Sequence, residues 1–200
     1  MTQSSRTRRV RIRRGRGWAF AGAILMSAAA LSAVPVLASP AQAASSWGPI
    51  YNYGAGTCLD DPGGSHTTGT QMDSWGCNGG SNQKWREYSS KLVDNQFTYY
   101  SFQNEASGLC LDLQGSSNKD GTPVIQYPCN TSDSAQFWLL GGVSTNYSPP
   151  WEDFLNLAGY LQSMVITSDS KTYGAKIESW FISKSPDPDT THWWDPSGGL

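Results

Sequence analysis

The sequence predicts an all-β fold built from three related units around a pseudo-threefold axis, and three observations predict it. The first is self-similarity. Shifting the chain by 52 residues places Asn52 on Asn104, and nine positions from 58 to 78 meet identical partners: Cys58, Leu59, Asp60, Gly63, Ser65, Gly69, Thr70, Cys77 and Asn78. A second shift by 52 carries Asn104 to Asn156, Phe102 to Phe154 and Ala106 to Ala158. The second observation is that short apolar or alternating runs, Phe97–Phe102, Thr122–Tyr127 and Ala175–Trp180, stand between clusters of Gly, Ser, Asn and Asp, as strands stand between turns. The third is that no stretch after residue 43 carries the apolar period and caps of an amphipathic helix. Units this small cannot each bury an apolar face, so the three must share one core, which describes a β-trefoil.

Taken in order, residues 1–43 are expected to be a cleaved signal peptide. Seven arginines and no acidic residue open it, an apolar run from Trp18 to Ala38 follows, and Ala41-Gln42-Ala43 supplies the small-residue cleavage pattern. The run approaches the length of a membrane span, but Pro35 and the Ala-x-Ala site favour export over a retained anchor. The protein is therefore expected to be secreted, from a cell of bacterial type, and to have no membrane contact after cleavage.

Residues 44–200 form one domain in this reading, with repeats at about 47–97, 98–149 and 150–200. Seven of the 14 Lys and Arg lie in the signal and all 16 Asp and Glu follow it, leaving this domain at −9. Such a charge repels phosphate backbones and anionic lipid, so no nucleic-acid partner is expected. The length suits a single compact monomeric domain.

The four cysteines form two pairs of equal spacing, Cys58 with Cys77 and Cys110 with Cys129. In an exported chain these read as two disulfides, one per repeat, each worth about 3 kcal/mol in the chain-entropy account. Zinc is the competing use. The close Cys-x-x-Cys spacing is missing, and His66 and His192 fit no ligand pattern, so neither metal nor cofactor is expected. The third unit is degenerate. If one residue near Tyr173 is an insertion, Gln162 and Ile182 replace the cysteines and Met164 replaces the aspartate, while Phe154-Leu155-Asn156, Gly174, Ile177, Trp180 and Trp193 or Trp194 keep the packing frame.

Cys-Leu-Asp, then Gly-Thr, an aromatic two residues before Cys, and Asn-Gln-x-Trp together resemble the repeat of the ricin B-type lectins and related carbohydrate-binding modules. The resemblance covers about 47–194 and is strongest in the first unit. It implies a β-trefoil, and sugar sites in which a carboxylate accepts from two hydroxyls, an aromatic plate meets the sugar's C–H face and amides add contacts. In unit one these would be Asp60, Trp75 and Asn82, with Gln83 in support or hydrogen-bonding the fold, and Asp73 at the rim. In unit two they would be Asp112, Tyr127 and Gln136, with Ala135 where Asn82 stands; a lost amide contact makes that site weaker by about 1–2 kcal/mol. Trp85 and Trp138 belong to the core, and Asn52, Asn104 and Asn156 to the backbone frame. Unit three, without the aspartate, would be empty.

The resemblance thus implies a non-catalytic protein that binds galactose- or xylose-type units of a polysaccharide or glycan, with avidity from two sites. Two other readings compete. A small secreted glycoside hydrolase would need a carboxylate pair outside the repeat logic, and neither that nor a Gly-x-Ser-x-Gly or His-Glu-x-x-His motif is present. A protein-binding or inhibitory trefoil would use the Gly141–Pro150 connection or the tail from Ser185 to Leu200.

Overall fold

A computed structural model describes residues 46–141, 153–159, 162–167, 170–181 and 194–196. The signal segment, Ile182, His192, Trp193, nearly all of the 141–150 connection and most of the 185–200 tail lie outside the described residues. Within them the chain is all-β, with thirteen strands and four short 3₁₀ turns. The strands are β1 (Gly48–Pro49), β2 (Tyr51–Asn52), β3 (Thr57–Asp60), β4 (Asp73–Trp75), β5 (Lys84–Val93), β6 (Phe97–Asn104), β7 (Cys110–Leu113), β8 (Thr122–Tyr127), β9 (Trp138–Gly141), β10 (Asp153–Asn156), β11 (Gln162–Ile166), β12 (Ala175–Phe181) and β13 (Trp194–Asp195).

The topology closes the three units on one another. The last strand of each unit pairs antiparallel with the first of the next: β5 with β6, β9 with β10, and β13 with β2. The inner hairpins β3–β4, β7–β8 and β11–β12 meet as a triangle, through Asp73↔Lys176, Gln71↔Ile125 and Pro123↔Glu178. This is the β-trefoil expected from the repeat.

One core serves all three units. Leu59, Met72 and Trp85 from the first, Phe102, Leu111, Val124 and Trp138 from the second, and Phe154, Met164, Ile177 and Trp194 from the third pack together, each fully buried. The three tryptophans occupy equivalent places, because their indole N–H groups donate to Leu59 O, Leu111 O and Met164 O respectively. A buried indole needs such a partner.

The asparagines do for each unit what the sequence suggests. Asn52, Asn104 and Asn156 turn their Oδ1 toward the backbone N–H groups of the following turn, and the Nδ2 of Asn104 and Asn156 donates to carbonyls of the preceding unit. Both expected disulfides are formed, Cys58–Cys77 and Cys110–Cys129.

The third unit's register corrects the sequence alignment. Met164 O takes the indole bond that Leu59 O and Leu111 O take, so Met164 stands in place of the core leucine, not of the aspartate. Val165, paired with Glu178, replaces Asp60 and Asp112, and Ser163, paired with Trp180, replaces the first cysteine in place of Gln162. The extra residue therefore lies between Asn156 and Ser163, ahead of the strand. Trp180 keeps its expected place as the counterpart of Trp75 and Tyr127, and the three are 46 %, 44 % and 46 % exposed.

Candidate functional site

In unit one, β3 and β4 pair so that Asp60 lies directly across from Asp73, with Trp75 two residues further along β4 on the same face. The 3₁₀ turn Ser81–Gln83 brings the amides of Asn82 and Gln83 against the end of β3. The Cys58–Cys77 bridge ties the strand that carries Asp60 to the segment just after Trp75. Together with Pro62, Gly63 and Asn78, the residues Asp60, Asp73, Trp75 and Asn82 line an open cleft of about 220 Å³.

Hydrogen bonding within this cleft divides the residues into those that hold and those that face outward. Asn82 Nδ2 and Gln83 Nε2 each donate to Asp60 Oδ1 at 2.8 Å, leaving Oδ2 to accept from a ligand. Gln83 is 1 % exposed, and its amide also donates to Gly76 O and accepts from Asn78 N. It positions Asp60 from behind and does not reach the ligand side. Asn82 Nδ2 is occupied as well, by Asp60 and Asp61 O, so its outward contribution is the amide oxygen. Asp73 holds Lys176 Nζ at 3.5 Å through Oδ2, while its buried Oδ1 has no hydrogen-bond partner. The cleft thus offers hydrogen-bond acceptors next to a half-exposed indole, a combination that suits a ligand with many hydroxyl donors and an apolar face.

The electrostatics are those of crowded, shielded carboxyl groups. Burial pushes Asp60 up to about 6, against the bonds from Gln83 and Asn82 and with help from Asp73. Burial raises Asp73 too, with Lys176 pulling the other way. Asp61, fully buried one residue on, is pushed up to about 7; its Oδ1 accepts from Gln126 of unit two. Lys176 is the cation that this group of carboxylates engages among the described residues. An anionic ligand would meet repulsion here.

Unit two repeats the frame and lacks some of the chemistry. Gln136 Nε2 donates to Asp112 Oδ2 and to Pro128 O, and its Oε1 accepts from Asn130 N, as Gln83 does in unit one. Gln136 is likewise 1 % exposed, a positioning residue behind the carboxylate. Burial raises Asp112 to about 6. Ala135 stands at the place of Asn82, as expected, but Ile125 also stands at the place of Asp73, paired across from Asp112. The 52-residue shift that aligns the two units sets Asp73 against Ile125, so this second loss is visible in the sequence as well.

Residues 46–127 and 93–148 match the ricin-type beta-trefoil lectin domain-like family, and together they span just over half of the chain. The chain belongs to that family. Solved structures show the same fold. A designed threefold-symmetric protein, ThreeFoil, matches with a TM-score of 0.62 at 23 % identity, over 74 % of this chain and 95 % of that one. An exo-beta-1,3-galactanase from Clostridium thermocellum matches with 0.62 at 22 % identity, over 75 % of this chain and 29 % of the galactanase. The Rhizoctonia solani agglutinin matches with 0.55 at 18 % identity, over 78 % and 96 %. Membership of this lectin family supports a carbohydrate-binding role for the chain.

Asn78, which lines the cleft, and Asp61, Lys176 and Tyr173, which flank it, carry no site assignment from the sequence. Asn78 carried a signal, since it is identical to its partner Asn130 in unit two. Asp61 has leucine at the matching position, while Lys176 and Tyr173 come from the third unit, so only the fold brings them to Asp73 and Trp75.

Proposed function

We propose that this is a secreted, non-catalytic carbohydrate-binding protein that takes neutral sugar residues, of galactose or xylose type, in the unit-one cleft and more weakly at unit two. The observation that carries the reading is the Asp60 carboxylate, clamped through one oxygen by two amides, beside an indole exposed at 44 %. Clamping removes the freedom that the carboxylate would otherwise lose on binding, which favours affinity. The carboxylate cluster argues for neutral sugars over uronates or sialates. The Arg-rich, apolar N-terminal segment and the two disulfides support export.

Retention on insoluble galactan, xylan, cellulose and chitin tests the proposal. One of these is expected to hold the wild-type protein. Trp75→Ala should weaken retention roughly thirtyfold, the cost of about 2 kcal/mol for removing a central aromatic anchor. Tyr127→Ala should change it a few fold at most. Wild-type protein that stays in the supernatant with every polysaccharide, with a melting temperature unmoved by free galactose or xylose, would refute it.

A further inference from the structure

The third unit has Val165 at the place of Asp60 and Glu178 at the place of Asp73, and its β11–β12 turn reaches into the neighbourhood of unit one. Each inner hairpin has a glycine of positive φ between its two strands, Gly69 (85°), Gly121 (76°) and Gly174 (85°). Each glycine N–H donates to the residue that precedes the neighbouring unit's exposed aromatic: Gly69 to Gln126 O, Gly121 to Ser179 O and Gly174 to Ser74 O. The residue before each glycine is therefore delivered beside the aromatic of another unit. Those residues are Thr68, Asp120 and Tyr173.

Only one of the three is aromatic, and it is delivered to the only cleft that keeps both carboxylates. Asp120 is used by the fold, its Oδ1 accepting from Phe181 N and Gln162 Nε2. Tyr173 instead lies beside Trp75, with ring centroids 5.6 Å apart and planes tilted by 37°. Its phenol ring occupies the space above Gly76, where a Cβ would come within 2.9 Å of Tyr173 Cζ. Units two and three have Pro128 and Phe181 at that position, so the glycine and the tyrosine form a matched pair found in one unit. Tyr173 is 58 % exposed and is not part of the cleft lining; it continues the aromatic surface beyond Trp75.

We propose that Tyr173, supplied by the third unit, makes the unit-one site one for two consecutive residues of a sugar chain, the first seated at Asp60 and Trp75 and the second against Tyr173. Neighbouring rings in a glycan are twisted relative to one another, and two adjoining, mutually tilted plates can follow that twist where a single plate cannot. The degenerate unit thereby determines ligand length for the intact one. This inference rests on the sugar-binding reading of the same cleft.

Titration of the purified protein with galactose and β-1,3-galactotriose, and with xylose and β-1,4-xylotriose, separates the two. In the series that binds, the wild type is expected to favour the trisaccharide about tenfold over the monosaccharide. Tyr173→Ala should abolish that preference while monosaccharide affinity stays within twofold, and Tyr173→Phe should retain it. Gly76→Ala, which displaces the phenol ring without touching it chemically, should reproduce the selective loss. Equal losses for monosaccharide and trisaccharide would overturn the proposal, since Tyr173 would then merely brace Trp75; so would a wild type that binds both equally, with the sugar-binding reading left standing. A wild type that binds no member of either series removes that reading and this inference with it.

Discussion

Trp138→Ala should lower the unfolding free energy by about 3–5 kcal/mol, the range for truncating a fully buried large aromatic, and should bring the melting temperature down by roughly 10 °C in a domain of this size. Trp138 is entirely buried in the shared core, and its indole N–H donates to Leu111 O. Removing it leaves both a cavity and a carbonyl without its partner, and a total stability of about 5–15 kcal/mol is typical of such domains. Trp138→Phe should cost less, since much of the volume stays. The substitution also asks whether the units fold together. Tertiary circular dichroism and sugar binding at unit one, more than one strand away from the change, should be lost at the same denaturant midpoint, because Trp85, Trp138 and Trp194 pack into a single cluster. A unit-one site that survives past the transition of the mutant's second unit would mean that the units hold separate cores.

Much of this architecture was legible because the chain repeats itself. Cysteines, Cys-Leu-Asp and the recurring asparagine mark the frame in two units, and the strands at 97–104, 122–127 and 175–181 fall where alternating runs meet turn residues. Where those marks stop, the register slipped. Without cysteines, nothing in Gln162-Ser163-Met164-Val165 tells a core position from a site position, and the alignment placed the extra residue too late. The indole bond to Met164 O settles it, and that bond joins residues 30 apart in sequence. The site was legible to the same depth. Asp60, Trp75 and Asn82 share one unit and one local pattern, whereas Lys176 and Tyr173 reach it only through the pairing of β12 with β4. Burial was the other invisible quantity: the sequence leaves open whether Gln83 touches a ligand or hydrogen-bonds the fold, and Gln83 and Gln136, both buried, lie behind the carboxylates.

Acidification should move stability and sugar binding in opposite directions. Asp60 and Asp112 are held at about 6, and Asp61 and Asp153 at about 7, all chiefly by burial, above the ordinary carboxylate value. Between that ordinary value and 6–7 the folded chain binds more protons than the unfolded one, so unfolding free energy falls as pH rises through this window and the stabilisation is fully present below it. The melting temperature should therefore climb as pH is lowered from 7.5 to 5. In the proposed site the ionised Asp60 would accept ligand hydroxyls through Oδ2, the oxygen that Asn82 and Gln83 leave open, so binding should weaken roughly tenfold for each pH unit well below 6. Asp60 is faced by Asp73 on β4, by Asn82 and Gln83 on the turn after it, and through Asp73 by Lys176 on β12. Lys176→Ala should raise the Asp60 value further and shift the binding midpoint to higher pH. Asp60→Asn, which keeps the shape and deletes the charge, should reduce affinity at pH 7.5 about thirtyfold or more, as expected when a charged partner is removed from a shielded hydrogen bond, and should flatten the remaining pH profile. Titration calorimetry and thermal melts over the same pH series read both quantities. Binding that is unchanged between pH 7.5 and 5 in the wild type, or an Asp60→Asn protein that binds as the wild type does, would show that the carboxylate is not the ligand's acceptor; a melting temperature that falls together with binding would show instead that acid loosens the fold, and that the loss of sugar follows from that.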